Sequence, residues 1–127
     1  MKLETFFDRD TGTMTYLIID EVTKKCAIID PVLNLNQFIG QYSYTQADDI
    51  IKMINSNNWQ LEWILETHVH ADHLTSSPYL KKHLGGKIAL GSKIVDVLKY
   101  WQQVFQFDKK YLDGHQFDVL LDDNKII

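Results

Sequence analysis

Cysteine occurs once and proline twice in these 127 residues. A lone Cys26 cannot close an internal disulfide, so the fold does not rest on cross-links and the chain suits a reducing compartment. Cys26 leads the apolar run Cys26-Ala-Ile-Ile29, and a free cysteine in such a setting is expected to pack in the core. No apolar run approaches the roughly 20 residues that a bilayer-spanning helix requires. Met1-Lys-Leu-Glu-Thr-Phe-Phe-Asp8 carries charge where a secretory leader has its apolar stretch, so a cytoplasmic location is expected. A net charge of −4 gives no electrostatic reason to expect nucleic acid or an anionic membrane surface as a partner. Repeats, linkers and low-complexity tracts are missing as well. With 45% hydrophobic residues, residues 1–127 are expected to form one domain with a moderate core.

What is present is concentrated in one run, Thr67-His-Val-His-Ala-Asp-His-Leu-Thr75. His68, His70, Asp72 and His73 lie within six positions and include three of the five histidines. Imidazole nitrogen and carboxylate oxygen are the donors that borderline ions such as zinc and iron accept. The run follows Leu61-Glu-Trp-Ile-Leu-Glu66, which reads as a buried strand and places these side chains at its C-terminal end. Alternate residues of an extended segment point the same way, so His68 and His70 are expected to face one metal. Asp72 and His73, past the bend, then serve a second metal or support the first. A polar loop with accidental histidines is the competing reading, and the density of donors argues against it.

His-x-His-x-Asp-His after an apolar strand resembles the signature of the metallo-β-lactamase superfamily. Thr67 to His73 is most similar to the persulfide dioxygenase branch, which includes the β-lactamase-hydrolase-like proteins. Thr15-Tyr-Leu-Ile18, Asp30-Pro-Val32 and Leu84-Gly-Gly-Lys-Ile-Ala-Leu-Gly91 agree with it. The related glyoxalase II branch usually has a histidine where this chain has Val69 and a bulkier residue where it has Ala71. The resemblance implies an α/β fold, the N-terminal half of a four-layer αββα arrangement with a mixed sheet and flanking helices.

The local signals fit such a fold. Leu3–Phe7, Thr13–Asp20 and Cys26–Ile29 are β-rich runs separated by turn clusters, and Asp30-Pro31 closes the third. Asn34–Thr45 lacks periodicity and is expected to be an exposed loop. Thr45-x-x-Asp48 looks like a capped helix start, followed by Ile50, Ile51 and Ile54 at helical spacing. Ser76-Ser-Pro78 starts a second helix and Gly85-Gly86 stops it. Lys87–Leu90 reads as a strand. Ser92 opens a third helix, whose Ile94, Leu98, Trp101 and Phe105 are expected to face the core. Phe117–Leu121 reads as a last strand, and Lys125–Ile127 as the start of another. Helices recurring between strands indicate α/β with a mixed sheet.

The complete family fold has two similar halves with metals between their edges, and its later ligands, a histidine and a bridging aspartate, have no counterpart here. His83 is read as solvent-facing near a helix end and His115 as part of a turn. The chain is therefore expected to be a partial domain, lacking turnover alone, with a homo-oligomer or a complementary C-terminal half as partner. The resemblance implies one Fe(II) per site, with zinc the alternative. In the dioxygenase branch His68 would be a direct iron ligand while His70, Asp72 and His73 shape the site. In dinuclear hydrolases His68 and His70 hold one metal, and Asp72 and His73 the other. Asp72 is also the candidate catalytic residue. The implied substrate is a glutathione-derived small molecule, either glutathione persulfide oxidised with oxygen or an S-acyl glutathione thioester hydrolysed at the metal. Asp30 is the expected outer support of the ligand loop or, equally, a stabiliser of its own turn.

Overall fold

The computed structural model describes residues 1–36, 38–71 and 73–127. Strands β1 (Lys2–Asp8), β2 (Thr13–Asp20) and β3 (Lys25–Ile29) run as an antiparallel meander. Strands β4 (Val32–Asn36) and β5 (Gln41–Ser43) follow, then helix α1 (Thr45–Ser56) and strand β6 (Gln60–Leu65). The short β7 (Leu74–Thr75), helix α2 (Ser77–Leu84), strand β8 (Lys87–Gly91), helix α3 (Ile94–Phe105) and strand β9 (Val119–Leu121) complete the order. The main sheet has six strands in the order β1-β2-β3-β6-β8-β9, and β3, β6, β8 and β9 are parallel. This is the mixed α/β architecture expected from the sequence.

The period-2 pattern of the strands decides the packing. Leu17 and Ile19 of β2, Ile28 of β3 and Ile64 of β6 face α1 and α2, whose Ile50, Ile54 and Leu80 meet them. All seven are fully or almost fully buried, and each contributes about 1.5–3 kcal/mol from the removal of apolar surface from water. Cys26 belongs to the same core, and burial pushes its thiol up to about 11, so it is a packing residue. The opposite face of the sheet carries Tyr16, Ile18, Ala27, Ile29 and Leu65, all partly exposed.

Three sequence expectations need correction. Asn34–Thr45 is not a loop, because Val32–Asn36 and Gln41–Ser43 pair as β4 and β5, with β7 on the other side of β4. Asn34 masks that strand, since asparagine is depleted in strands. Its amide here donates to Asp8 Oδ1 at 2.8 Å while its oxygen accepts the Gln46 N–H at 2.9 Å. That second bond also replaces the expected Thr45 cap: Thr45 is already helical and Tyr44 stands at the N-cap without a side-chain bond. Finally, Phe117 and Asp118 precede β9 rather than joining it, and Lys125–Ile127 form no strand. The Asp118 carboxylate instead caps the β8 edge at Ile88 N–H and pairs with Lys81.

Candidate metal centre

The histidine run leaves the sheet at the C-terminal end of β6, and the neighbouring strands fix its departure. Asp30 N–H donates to Leu65 O at 2.9 Å, and Glu66 N–H to Ala89 O at 3.0 Å. Asp30 sits just past β3 with φ of +49°, a conformation aspartate tolerates better than most residues. The turn aims its carboxylate at the loop, where Oδ1 accepts Thr67 N–H at 2.8 Å and Oδ2 accepts the Thr67 hydroxyl at 2.7 Å. The expectation that Asp30 braces this loop thus has a concrete form. Thr15 braces Asp30 in turn, its buried hydroxyl donating to Asp30 O and accepting Val32 N–H.

These bonds determine which nitrogen of each imidazole stays open. Thr67 gives its single hydroxyl proton to Asp30, so it can only accept from His68 Nδ1, 2.9 Å away. His68 therefore carries its proton on Nδ1 and leaves the Nε2 lone pair free. His70 Nε2 lies 3.1 Å from Asp30 Oδ1 and 3.5 Å from Glu66 Oε2; facing two carboxylates, it carries the proton and leaves Nδ1 free. His73 Nδ1 donates to Leu74 O at 3.0 Å, and its buried Nε2 has no hydrogen-bond partner among the described residues. Tautomers fixed by an outer acceptor are the usual condition of metal-binding histidines. The rings gather tightly, with His68–His70 centroids 4.1 Å apart and His70–His73 4.0 Å apart.

This proximity does not come from an extended strand. β6 ends at Leu65, residues 66–70 are irregular, and the rings are brought together by the grip of Asp30 on Thr67 and His70. His73, expected past the bend to serve a second metal or support the first, lies beside His70 with the two rings tilted by 31°. Asp72, the fourth expected ligand and the candidate catalytic residue, lies outside the described residues.

Glu66 was not singled out in the sequence, although an acidic residue closing an apolar strand is a readable signal. It is buried, which pushes its carboxyl above the usual range, while hydrogen bonds from Ser77 and Thr75 oppose the rise. Asp30, Glu66 and His70 each bring a donor atom to within 4.8 Å of the others. Thr75 and Ser77 donate to Glu66 Oε1, while Glu66 Oε2 has no hydrogen-bond partner among the described residues and, with Asp30 Oδ1, faces His70 Nε2. The open atoms are His68 Nε2, His70 Nδ1 and His73 Nε2. They are imidazole nitrogens of the kind that zinc and iron(II) accept, but the three do not come within 4.8 Å of one another as the donor atoms of Asp30, Glu66 and His70 do.

A cavity of about 590 Å³ opens beside this loop. Thr67 to Ala71 form one wall, and Ile94, Val97, Trp101 and Phe105 of α3 form the other. The apolar stripe of α3 was expected to be core, yet only Ile94 is buried; Trp101 is 44% and Phe105 69% exposed. The spacing is that of a core-facing stripe, but the surface opposite it is the histidine loop across an open space. His83 is exposed and lies against the Tyr79 ring, and His115 bonds to Asp113 within its own turn. Neither joins the site.

The sequence pattern of the metallo-beta-lactamase superfamily matches residues 8–126. A probable metallo-hydrolase of Burkholderia pseudomallei is 41% identical over 97% of this chain and 42% of its own length. The mitochondrial persulfide dioxygenase ETHE1 of Bos taurus is 28% identical over 78% of this chain and 35% of its own length. The crystal structure of ETHE1 from Myxococcus xanthus superimposes with a TM-score of 0.58 and 34% identity, covering 70% of this chain and 35% of that one. The chain spans less than half the length of these relatives.

Proposed function

The chain belongs to the metallo-β-lactamase superfamily, and from that premise we propose that it carries the histidine half of an iron-dependent persulfide dioxygenase site. The observation that carries this reading is the run of imidazoles in which His70 lies 4.1 Å from His68 and 4.0 Å from His73, centroid to centroid, each with one nitrogen unbonded among the described residues. His68 Nε2 would be a direct ligand to iron(II), while His70, His73 and Asp72, the candidate catalytic carboxylate, would shape the site. The dioxygenase branch is supported by the 34% identity to a protein solved as ETHE1 and by the bovine persulfide dioxygenase. The reaction would take glutathione persulfide, dioxygen and water to glutathione, sulfite and two protons.

Bound iron(II) supplies redox chemistry and open coordination positions for oxygen and sulfur. The chain's own residues supply orientation. Asp30 keeps the protons on His70 Nε2 and, through Thr67, on His68 Nδ1, so both rings present lone pairs. Glu66 adds negative charge behind His70 and raises its basicity as a donor. Val69 and Ala71, with the apolar wall of α3, limit the water that reaches this edge.

A second reading is supported by the 41% identity to the probable metallo-hydrolase: zinc-dependent hydrolysis of an S-acyl glutathione thioester, releasing a carboxylic acid and glutathione. One experiment separates the two. The chain is loaded anaerobically with iron(II) or zinc, alone and with the remaining portion of the Burkholderia relative supplied. Iron content, oxygen uptake with glutathione persulfide, and thioester cleavage are then measured. Oxygen uptake with sulfite formation, lost in His68→Ala, is the expected result. Thioester cleavage without oxygen uptake would replace the dioxygenase by the hydrolase.

A further inference from the structure

Behind the histidine loop two carboxyl groups converge on one imidazole. Asp30 and Glu66 follow the ends of β3 and β6, which are parallel neighbours, so the two side chains emerge side by side at one rim. Backbone bonds from Asp30 N–H to Leu65 O and from Glu66 N–H to Ala89 O hold both positions. The three side chains are nearly enclosed, with Asp30 13%, Glu66 5% and His70 8% exposed. Thr75 and Ser77 donate to Glu66 Oε1, which fixes the carboxyl so that Oε2 lies 3.5 Å from His70 Nε2. Asp30 Oδ1 lies 3.1 Å from the same nitrogen. That nitrogen has one proton to give, and Asp30 accepts it. Glu66 Oε2 is left buried with no hydrogen-bond partner among the described residues, an unfavourable condition for a polar atom.

We infer that Asp30 Oδ1, Glu66 Oε2 and His70 Nε2 form a second cation site, separate from the open Nε2 of His68, for a divalent ion that prefers oxygen, with manganese(II) the fitting case. The spacings are those of ligands around one ion. With bonds of about 2.1 Å, two donor atoms stand about 3.0 Å apart at a right angle and about 3.4 Å apart at the tetrahedral angle. The three atoms also lie within 4.8 Å of one another. Carboxylates suit manganese and magnesium, while imidazole suits zinc and iron, so two carboxylates with one imidazole point to manganese. Magnesium gives up its water reluctantly and fits an enclosed pocket less well. Thr67, Thr75 and Ser77 keep their bonds, because these use other lone pairs of the two carboxyl groups. The ion replaces only the proton on His70 Nε2, which passes to Nδ1 of the same ring. The filled and ion-free forms therefore differ in which nitrogen His70 leaves open. His68 takes no part, so the site is independent of the reading of His68 as an iron ligand.

The test titrates the whole chain with manganese(II). Free ion is counted by its paramagnetic resonance signal, and bound ion is located by the broadening of amide signals. One equivalent should bind, with broadening centred on Asp30, Glu66 and residues 75–77. Glu66→Gln keeps the shape and the acceptor for Thr75 and Ser77 but loses the carboxylate Oε2. It should weaken manganese at least about tenfold, and His70→Ala should do the same. His68→Ala should leave the affinity unchanged, and magnesium at equal concentration should not displace the ion. Where Glu66→Gln does not fold, the broadening in the native chain decides. A centre on the α3 side of the loop, or no bound manganese, overturns the proposal. Manganese affinity unchanged in a folded Glu66→Gln, or lost in His68→Ala, overturns it as well. Iron(II) binding that His68→Ala removes, in a chain that takes no manganese, overturns this site alone and leaves the dioxygenase reading standing.

Discussion

Asp30 grips Thr67 twice, accepting its backbone N–H at 2.8 Å and its hydroxyl at 2.7 Å. The second bond consumes the only proton Thr67 has, which makes its oxygen a pure acceptor for His68. Asp30→Asn retains the shape but offers only one acceptor atom, so the His68 and His70 tautomers lose their common anchor. Metal affinity is expected to fall about 10- to 100-fold, the usual cost of removing an outer partner of a ligand. Thr67→Val should reproduce the loss and Thr67→Ser should largely restore affinity, measured by competition with a chromogenic chelator.

Zinc should stabilise the chain, because a folded site binds what the unfolded chain cannot. At a free concentration of 100 times Kd the gain is about 2.7 kcal/mol, read as a rise in Tm. His73→Ala should abolish most of that rise, since it removes a buried Nε2 that has no other partner among the described residues. The same change should leave the metal-free protein no less stable than the loss of packing dictates, because an unsatisfied buried nitrogen itself costs about 1–3 kcal/mol. His83→Ala, altered on an exposed helix end, should keep the full zinc response. Equal responses in all three proteins would place the ion elsewhere.

The stability of the chain should fall with acid through Asp8. Burial alone would raise its carboxyl, but the hydrogen bonds from Thr11 and Asn34 hold it below the usual range. A folded-state value below the unfolded one means that the unfolded chain takes up the proton first as pH drops. The stabilisation is complete above the ordinary aspartate value of about 4 and is lost as pH falls through the lower folded value. Urea midpoints measured from pH 6 to pH 2.5 should show this slope, and Asp8→Asn should flatten part of it while lowering stability at neutral pH.

Gly86 tests the join between α2 and β8. Its φ is +83°, and a Cβ there would lie 3.2 Å from Leu61 Cγ and 3.3 Å from Leu61 O. Gly86→Ala combines a left-handed backbone with contact against the main chain of β6, and should cost about 1–3 kcal/mol. Gly12→Ala, also at positive φ but with nothing within 4 Å, should cost less. Chemical denaturation of the two variants separates steric from conformational cost.

The sequence disclosed the elements whose pattern depends only on neighbours along the chain. The alternation of Thr13–Asp20 became β2 without adjustment, and Pro78 with Gly85 bounded α2. It also disclosed that His68, His70 and His73 belong together. What it withheld depends on partners distant in the chain. Asn34 reads as a loop residue until Asp8 and Gln46 are seen on either side of it. Trp101 and Phe105 read as core because helical spacing reports that a face is apolar, without reporting what lies opposite. Glu66 reads as the polar end of a strand, and its role appears only when Thr75, Ser77 and His70 fold back onto it.

Strands β3, β6, β8 and β9 run the same way, side by side. Each therefore releases its following segment at the same rim: Asp30 after β3, Thr67 to His73 after β6, Ser92 and Lys93 after β8. The opposite rim receives only the segments that enter those strands, and the helices that return the chain cover the core in between. Chemistry and folding are thus assigned to different ends of the same strands. A change of residue at the rim of Asp30, His68 and Lys93 can alter what is bound while Leu17, Ile28, Ile50 and Ile64 go on holding the sheet to its helices. The residues at one edge of this scaffold are free to change without drawing on the stability held at its centre.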